Sequence, residues 1–308
     1  MTVAHMLPGG LADTLVERTI QREKWDHPTA LSYIGSKGAG ARLADMSDIT
    51  EVITQSTMIR GPDGTPEVLY VRLDPELFKE LRRELDRHPK WRPMMRTNGL
   101  ANVSLKFGIR PRTGFRSARC ETYALARENP RLNDLLLATS DEVLPWYQWA
   151  NRDIFQLHED NVSRVHPAWT WSPVFTSGVA NRDSQLPYHY DAGNFKSVWS
   201  GMLGLKDHIA GGYLSVPEYG VGLEIADGTL TLFDGQGALH GVTPMSRTKT
   251  TGHRYTIVWY GMKGMWQCLD PAEEAQRANV LRTAREVRRA SGAPARIAMK
   301  DVVRTPRG

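Results

Sequence analysis

The sequence predicts an α+β fold: a mainly helical N-terminal region, an antiparallel β core of sandwich, barrel or jelly-roll type, and a C-terminal helix. Three observations predict it. Short β-rich runs succeed one another between residues 198 and 262 with turn residues between them. No stretch long enough for a crossover helix separates these runs, which excludes a parallel βαβ sheet. Apolar residues recur at helical spacing on both sides of the block.

In chain order, the SKGAG run at 36–40 reads as a loop, and it lacks the GxxxxGK[ST] spacing of a phosphate loop. Asp74-Pro75-Glu76 starts a helix, with Asp74 as cap and Pro75 at the first helical position. Phe78, Leu81 and Leu85 then repeat at helical spacing up to Pro89. A second helical stretch runs from Asn133 to about Leu157, with Leu135, Leu136, Val143, Leu144, Trp146 and Trp149 as its apolar stripe. The strands follow: 198–205, 211–220, 222–228, 229–235, 238–245 and 254–262, with Asp227-Gly228 and Asp234-Gly235 as turns. Glu273 to Ala290 is helical again. The expected organisation is an N-terminal region, 1–160, packing on a 161–270 core, then a basic helix and tail, 271–308.

The 308 residues are 41% hydrophobic and 24% charged, which excludes collagen-like, mucin-like and wholly disordered chains. A mean hydropathy of −0.42 and the lack of a long uncharged apolar run exclude a membrane-spanning helix. The first ten residues carry no signal-peptide pattern. Cys120 and Cys268 alone suggest neither a disulfide framework nor a cysteine zinc site, so a reducing cytoplasm is expected.

Charge is unevenly spread. Residues 87–119 contain nine Lys or Arg and no acid, with Trp91, Phe107 and Phe115 interleaved, and 271–308 contain nine bases against four acids. Basic surface of this kind suits a polyanion, because phosphate neutralisation releases counterions. Solvated stretches pairing with acidic surface elsewhere are the plainer alternative.

The chemistry lies in PYHYDAGN (187–194), LFDGQGALHGVTP (232–244) and HRYTIVWY (253–260). His189 and Asp191 are two apart, so on an extended chain they share a face. His240 follows 49 residues after Asp191, and Arg254 another 14 beyond. Two histidines and a carboxylate form a facial triad that holds Fe(II) and leaves coordination positions open. Arg254 and Thr256, on one face of a strand adjacent to the His240 strand, would hold a distal carboxylate. A rival set exists in His158, Asp160 and His208, but it follows a helix and lacks a downstream basic strand residue. Taken singly, His189 or His240 could be structural core histidines, Asp191 a turn cap, and Arg254 an ion-pair partner. Asp234 competes as a ligand but stands in a turn sequence. The joint order favours His189, Asp191 and His240.

That order resembles the 2-oxoglutarate/Fe(II)-dependent oxygenases. HYDAGN, GGYLSVPEYG and LFDGQGALHGVTP together look like the ten-eleven translocation/base J-binding protein family, over roughly residues 170–265. The resemblance implies a double-stranded β-helix core, iron on His189, Asp191 and His240, and 2-oxoglutarate on Arg254 and Thr256. It also implies O₂ consumption and hydroxylation of a 5-methylpyrimidine base in DNA, flipped out or single-stranded. Asn194 would contact the base, and Arg110, Arg112 and Arg116 the phosphates. The cysteine-rich insert of animal members is absent, which points to a compact bacterial or viral type. The same chemistry on a small molecule, free amino acid or protein side chain is the alternative, and a jelly-roll binding module without catalysis is a third.

Overall fold

The computed structural model describes residues 7–292 except 24, 26, 36–40, 96–100 and 113–118, with backbone alone at 27, 92–95 and 101–102. The SKGAG loop, Phe115, Arg116 and the tail from 293 therefore lie outside the described residues.

Strand β1 (Val16–Thr19) and helix α1 (His27–Ile34) come first, then β2 (Glu51–Ile53), β3 (Thr57–Arg60) and β4 (Pro66–Arg72). Asp74 accepts from the Glu76 N–H, and Pro75 opens a 3-10 turn that runs into α2 (Lys79–Arg87). Strands β5 (Arg92–Met95), β6 (Ala101–Arg110) and β7 (Glu121–Thr122) follow. Helix α3 (Leu125–Glu128) precedes the helical stretch expected from Asn133, which is divided into α4 (Pro130–Ala138), α5 (Leu144–Ala150) and α6 (Arg152–Ser163). Asn129 caps α4 through its side-chain oxygen, and Asn151 caps α6 in the same way, which turns the chain where periodicity alone reads straight on. The core strands are β8 (Ser177–Arg182), β9 (Ser200–Asp207), β10 (Ile209–Gly211), β11 (Leu214–Val216), β12 (Val221–Leu223) and β13 (Thr229–Phe233). After them come β14 (Gly241–Val242), β15 (Met245–Arg247) and β16 (His253–Tyr260), and then α7 (Pro271–Ala290), capped by Asp270.

The first 122 residues are not mainly helical. Six of their strands join the main sheet, whose order is β1-β3-β4-β13-β9-β16-β8-β6-β5, with β7 beside β6. Residues 58, 59 and 68–71 are buried on both faces of that sheet, so they show no alternation for a period-2 reading to catch. Opposite lies a four-stranded sheet, β14-β11-β12-β2. Between the two sheets Ile59, Val68, Met202 and Phe233 pack against Leu214, Val216, Val221 and Leu223. The outer face of the main sheet buries Leu203, Leu205, Ile257 and Trp259 under α2, α4, α5 and α6. The Trp259 indole N–H donates to the Leu136 carbonyl at 2.8 Å, locking α4 to β16.

The two cysteines are bonded to one another, Cys120 to Cys268, across 148 residues. Spacing in the chain could not show this, because the fold alone brings β7 beside the turn before α7. Cysteine usage consequently gives no argument for a reducing compartment. Among the described residues no helix is long and apolar enough to cross a membrane.

Candidate active site

His189 and Asp191 stand in the connection between β8 and β9, and His240 just before β14. His189 is not in a strand. It forms an isolated antiparallel bridge with His240, in which the His189 N–H donates to the His240 carbonyl at 2.9 Å and the reverse bond is 3.2 Å. The Asp191 N–H donates to the Gly235 carbonyl at 2.9 Å, so the carboxylate segment lies against the turn that leads to His240. A side chain at 235 would meet Asp191 Oδ2 at 2.7 Å, and glycine leaves that space to the carboxylate.

One ligand atom from each of His189, Asp191 and His240 lies within 4.8 Å of the other two. His189 Nε2 is 3.7 Å from Asp191 Oδ1, and His240 Nε2 is 3.9 Å from Asp191 Oδ2. The Nδ1 atoms are occupied: His189 Nδ1 donates to the Pro187 carbonyl at 2.8 Å, and His240 Nδ1 to the Ala238 carbonyl at 3.0 Å. That tautomer leaves both Nε2 lone pairs pointing inward as ligands. Phe233 sets its ring edge-on to His240, 5.2 Å between centroids. Side-chain exposure of 19% at His189 and 29% at Asp191, against 9% at His240, puts the opening on the His189–Asp191 side. These donors fit Fe(II).

Arg254 does not lie on a strand neighbouring His240. Its strand, β16, is in the main sheet between β9 and β8, whereas β14 is in the opposite sheet. The two halves of the site thus face each other across the sandwich. Arg254 is 1% exposed and donates to the Gly212 carbonyl from Nη1 and to the Ser184 carbonyl from Nη2, both at 2.7 Å. Its Nε is buried without a partner. Burial pushes its pKa down to about 10, opposed by Asp183. Yet Asp183 spends its oxygens on the Arg254 backbone N–H, Arg247 and His253. A buried cation whose head group has only carbonyl partners fits an added carboxylate. Gly212, at φ +74, makes room: a Cβ there would meet Arg254 Nη1 at 2.7 Å.

Thr256, 6% exposed, is on the same face, and its hydroxyl accepts from Asn181 Nδ2 at 3.4 Å. Asn181 Oδ1 in turn accepts from Ser104 Oγ at 2.7 Å. Sequence reasoning missed this row, because only the strand register places 104, 181 and 256 side by side. It also missed Lys206, directly opposite Arg254, whose ammonium donates to the Gly211 carbonyl at 3.4 Å.

The remaining residues are placed as follows. Asn194 is buried, and its amide donates to Ser200 Oγ at 3.1 Å. Arg110 pairs with Glu121, and Arg112 with the buried Glu274 at 3.3 Å. Phe107 is core, and Trp91 stacks on Tyr255, so neither aromatic side chain interleaves a basic surface. Asp234 caps its own turn by accepting from the Gln236 and Gly237 N–H groups, and burial raises its pKa.

Residues 114–263, which contain the triad and Arg254, match the family model Tet_JBP, described as the oxygenase domain of the 2OGFeDO superfamily. This chain is a 2-oxoglutarate/Fe(II)-dependent oxygenase. Its cofactor is Fe(II) and its co-substrate 2-oxoglutarate. Among solved structures, the oxygenase is similar to NgTET1 in complex with 5mC DNA, with TM-score 0.53 and 14% identity, over 71% of this chain and 84% of that one. A 2OG-Fe(II) oxygenase-family protein from Burkholderia pseudomallei matches at TM-score 0.39 and 15% identity, over 63% and 84%. OsALKBH1 matches at 0.41 and 12%, over 64% and 97%. The first likeness shows the double-stranded β-helix fold. Comparison with curated proteins gives no match.

Proposed function

We propose that this oxygenase hydroxylates the methyl group of a 5-methylpyrimidine base, 5-methylcytosine or thymine, in DNA. The observation that carries the proposal is the Tet_JBP match, which spans the metal triad and Arg254 together. The complex of NgTET1 with 5mC DNA, on the same fold, supports the substrate class.

When bound, iron with 2-oxoglutarate and O₂ supplies the oxidation of a C–H bond, and the co-substrate leaves as succinate and CO₂. The chain's own work is placement. His189, Asp191 and His240 would hold the metal, and Arg254 and Thr256 the distal carboxylate. A base stacked in a duplex cannot reach the half-exposed Asp191 side of the triad, so the nucleotide must be extruded or single-stranded. Asn194 spends one amide hydrogen on Ser200 Oγ, which leaves its second N–H and its carbonyl oxygen for a contact with the base.

We place the phosphate contacts on Arg164, Lys196 and Lys263 rather than on Arg110 and Arg112, whose guanidiniums are paired. All three are exposed and border the turn that follows Asp191. The Lys263 N–H donates to the Gly193 carbonyl at 3.3 Å, Lys196 is next to Phe195, and Arg164 sits over Trp266, which stacks on Phe195. The test is incubation of the purified oxygenase with iron, 2-oxoglutarate and methylated duplex or single-stranded DNA, followed by nucleoside mass spectrometry. A 5-hydroxymethyl base is expected. Succinate release without any modified base, and without salt-dependent DNA affinity, would contradict the proposal.

A further inference from the structure

We infer that Glu218 is a positioning residue that holds the two metal-ligand segments in register from behind. It stands in the 3-10 turn Pro217–Tyr219 between β11 and β12 and is only 4% exposed. Glu218 Oε1 accepts from the Tyr190 hydroxyl at 3.0 Å and from the Leu239 N–H at 3.2 Å. Tyr190 is the residue between His189 and Asp191, and Leu239 immediately precedes His240. A single carboxylate oxygen therefore joins the segment bearing two ligands to the segment bearing the third.

The other oxygen fixes the clasp to the scaffold. Glu218 Oε2 accepts from Arg22 Nε at 2.7 Å and also from Arg22 Nη2, which donates as well to the Gly237 carbonyl. The Glu218 carbonyl accepts from the Glu23 N–H at 2.8 Å. The Asp234–His240 loop is thus held at both Gly237 and Leu239. A buried carboxylate needs such donors, and here it has four.

Directly between the ligand segments run an isolated bridge at His189 and His240 and single bonds on either side of it, Asp191 N–H to the Gly235 carbonyl at 2.9 Å and Val242 N–H to the Leu186 carbonyl at 2.8 Å. These are backbone bonds without a continuous ladder, and Glu218 adds the buried side-chain tie across the same two segments. Metal geometry tolerates errors of only about half an ångström, so the outer contacts that orient ligands set affinity. A cavity of about 600 Å³, lined by Arg22, Trp25, Glu67, Tyr190, Glu218 and Gly237, adjoins the clasp. Water from it can reach the groups left behind when Glu218 is truncated, so the variant should fold.

The inference rests on His189, Asp191 and His240 holding iron, and the test includes that reading. Anaerobic titration of the full chain with Fe(II), and with Mn(II) as a non-oxidising check, measures metal affinity. Glu218→Ala should weaken it roughly 10- to 100-fold, the range for lost outer-shell contacts. Glu218→Gln keeps an acceptor for Tyr190 and Leu239 and should restore most of the affinity, while Tyr190→Phe should show a smaller loss. The 2-oxoglutarate KM at saturating metal should stay near wild type, because Arg254 is untouched. Wild-type metal affinity in a folded Glu218→Ala would overturn the inference. So would parallel losses of metal affinity, KM and melting temperature, which mark general loosening. Should Glu218→Ala fail to fold, unchanged affinity in Tyr190→Phe overturns it. His189→Ala run alongside separates the two readings: if it too binds metal normally, the triad assignment falls first.

Discussion

Two His-x-Asp sequences lie close together in this chain and end in opposite surroundings. His158 and Asp160 are on α6, where residues two apart point about 200° from each other. His158 is fully buried among Tyr147, Phe175 and Phe195, while Asp160 accepts from Gln156 at the surface. His189 and Asp191 are on extended chain and converge with His240. The difference teaches that backbone conformation, not residue type, turns this pair into a chelate.

The comparison breaks most visibly on turnover. Alanine at His189, Asp191 or His240 should abolish iron-dependent succinate release while leaving the melting temperature within a few degrees of wild type. Asp160→Ala should leave the release unchanged, and loss of activity there would mean that the wrong pair has been chosen.

A smaller effect sharpens the other half of the site. Arg254→Ala removes a buried charge-assisted contact of about 1.5–3 kcal/mol. The apparent KM for 2-oxoglutarate should therefore rise by roughly one to two orders of magnitude. An unchanged KM would hand the carboxylate to Lys206 or another cation.

Next comes the mouth of the site. Neutralising Arg164, Lys196 and Lys263 together should flatten the log K against log [salt] slope for duplex DNA by up to about three units. Neutralising Arg110 and Arg112 should change that slope little and lower the melting temperature instead, since each is paired with a carboxylate. The reverse pattern would restore the 87–119 segment as the phosphate grip.

The last effect, on stability and not on activity, concerns His158. Burial pushes its pKa down to about 3, far below the ordinary value near 6.5. The unfolded chain then binds the proton first, so stability should fall as pH drops from about 6.5 toward 3, by up to about 1.4 kcal/mol per unit. Urea unfolding of His158→Leu at pH 7, 5 and 4 should show a shallower decline than wild type. Parallel curves would show that this ring is not what acid attacks.

The contrast also explains what was legible. An i, i+2 pair followed by His240 and Arg254 could be read because extended backbone makes order into geometry. The core strands from 198 onward could be read from their turns, Gly228 at φ +75 among them. The N-terminal strands could not, since β3 and β4 bury both faces. Nor could the partners of the basic residues: the sequence shows the charge of Arg112, but Glu274 is reached only through the fold, as Cys268 is from Cys120. Glu218 was invisible for the same reason, its two ligand-side partners lying in separate loops.

Anaerobic equilibrium dialysis of Fe(II) against wild type, His158→Leu and His189→Ala tests the central assignment most directly. Wild type and His158→Leu should each retain one equivalent of iron, and His189→Ala essentially none. Iron retained by folded His189→Ala, or lost from folded His158→Leu, would contradict the assignment of the metal to His189, Asp191 and His240.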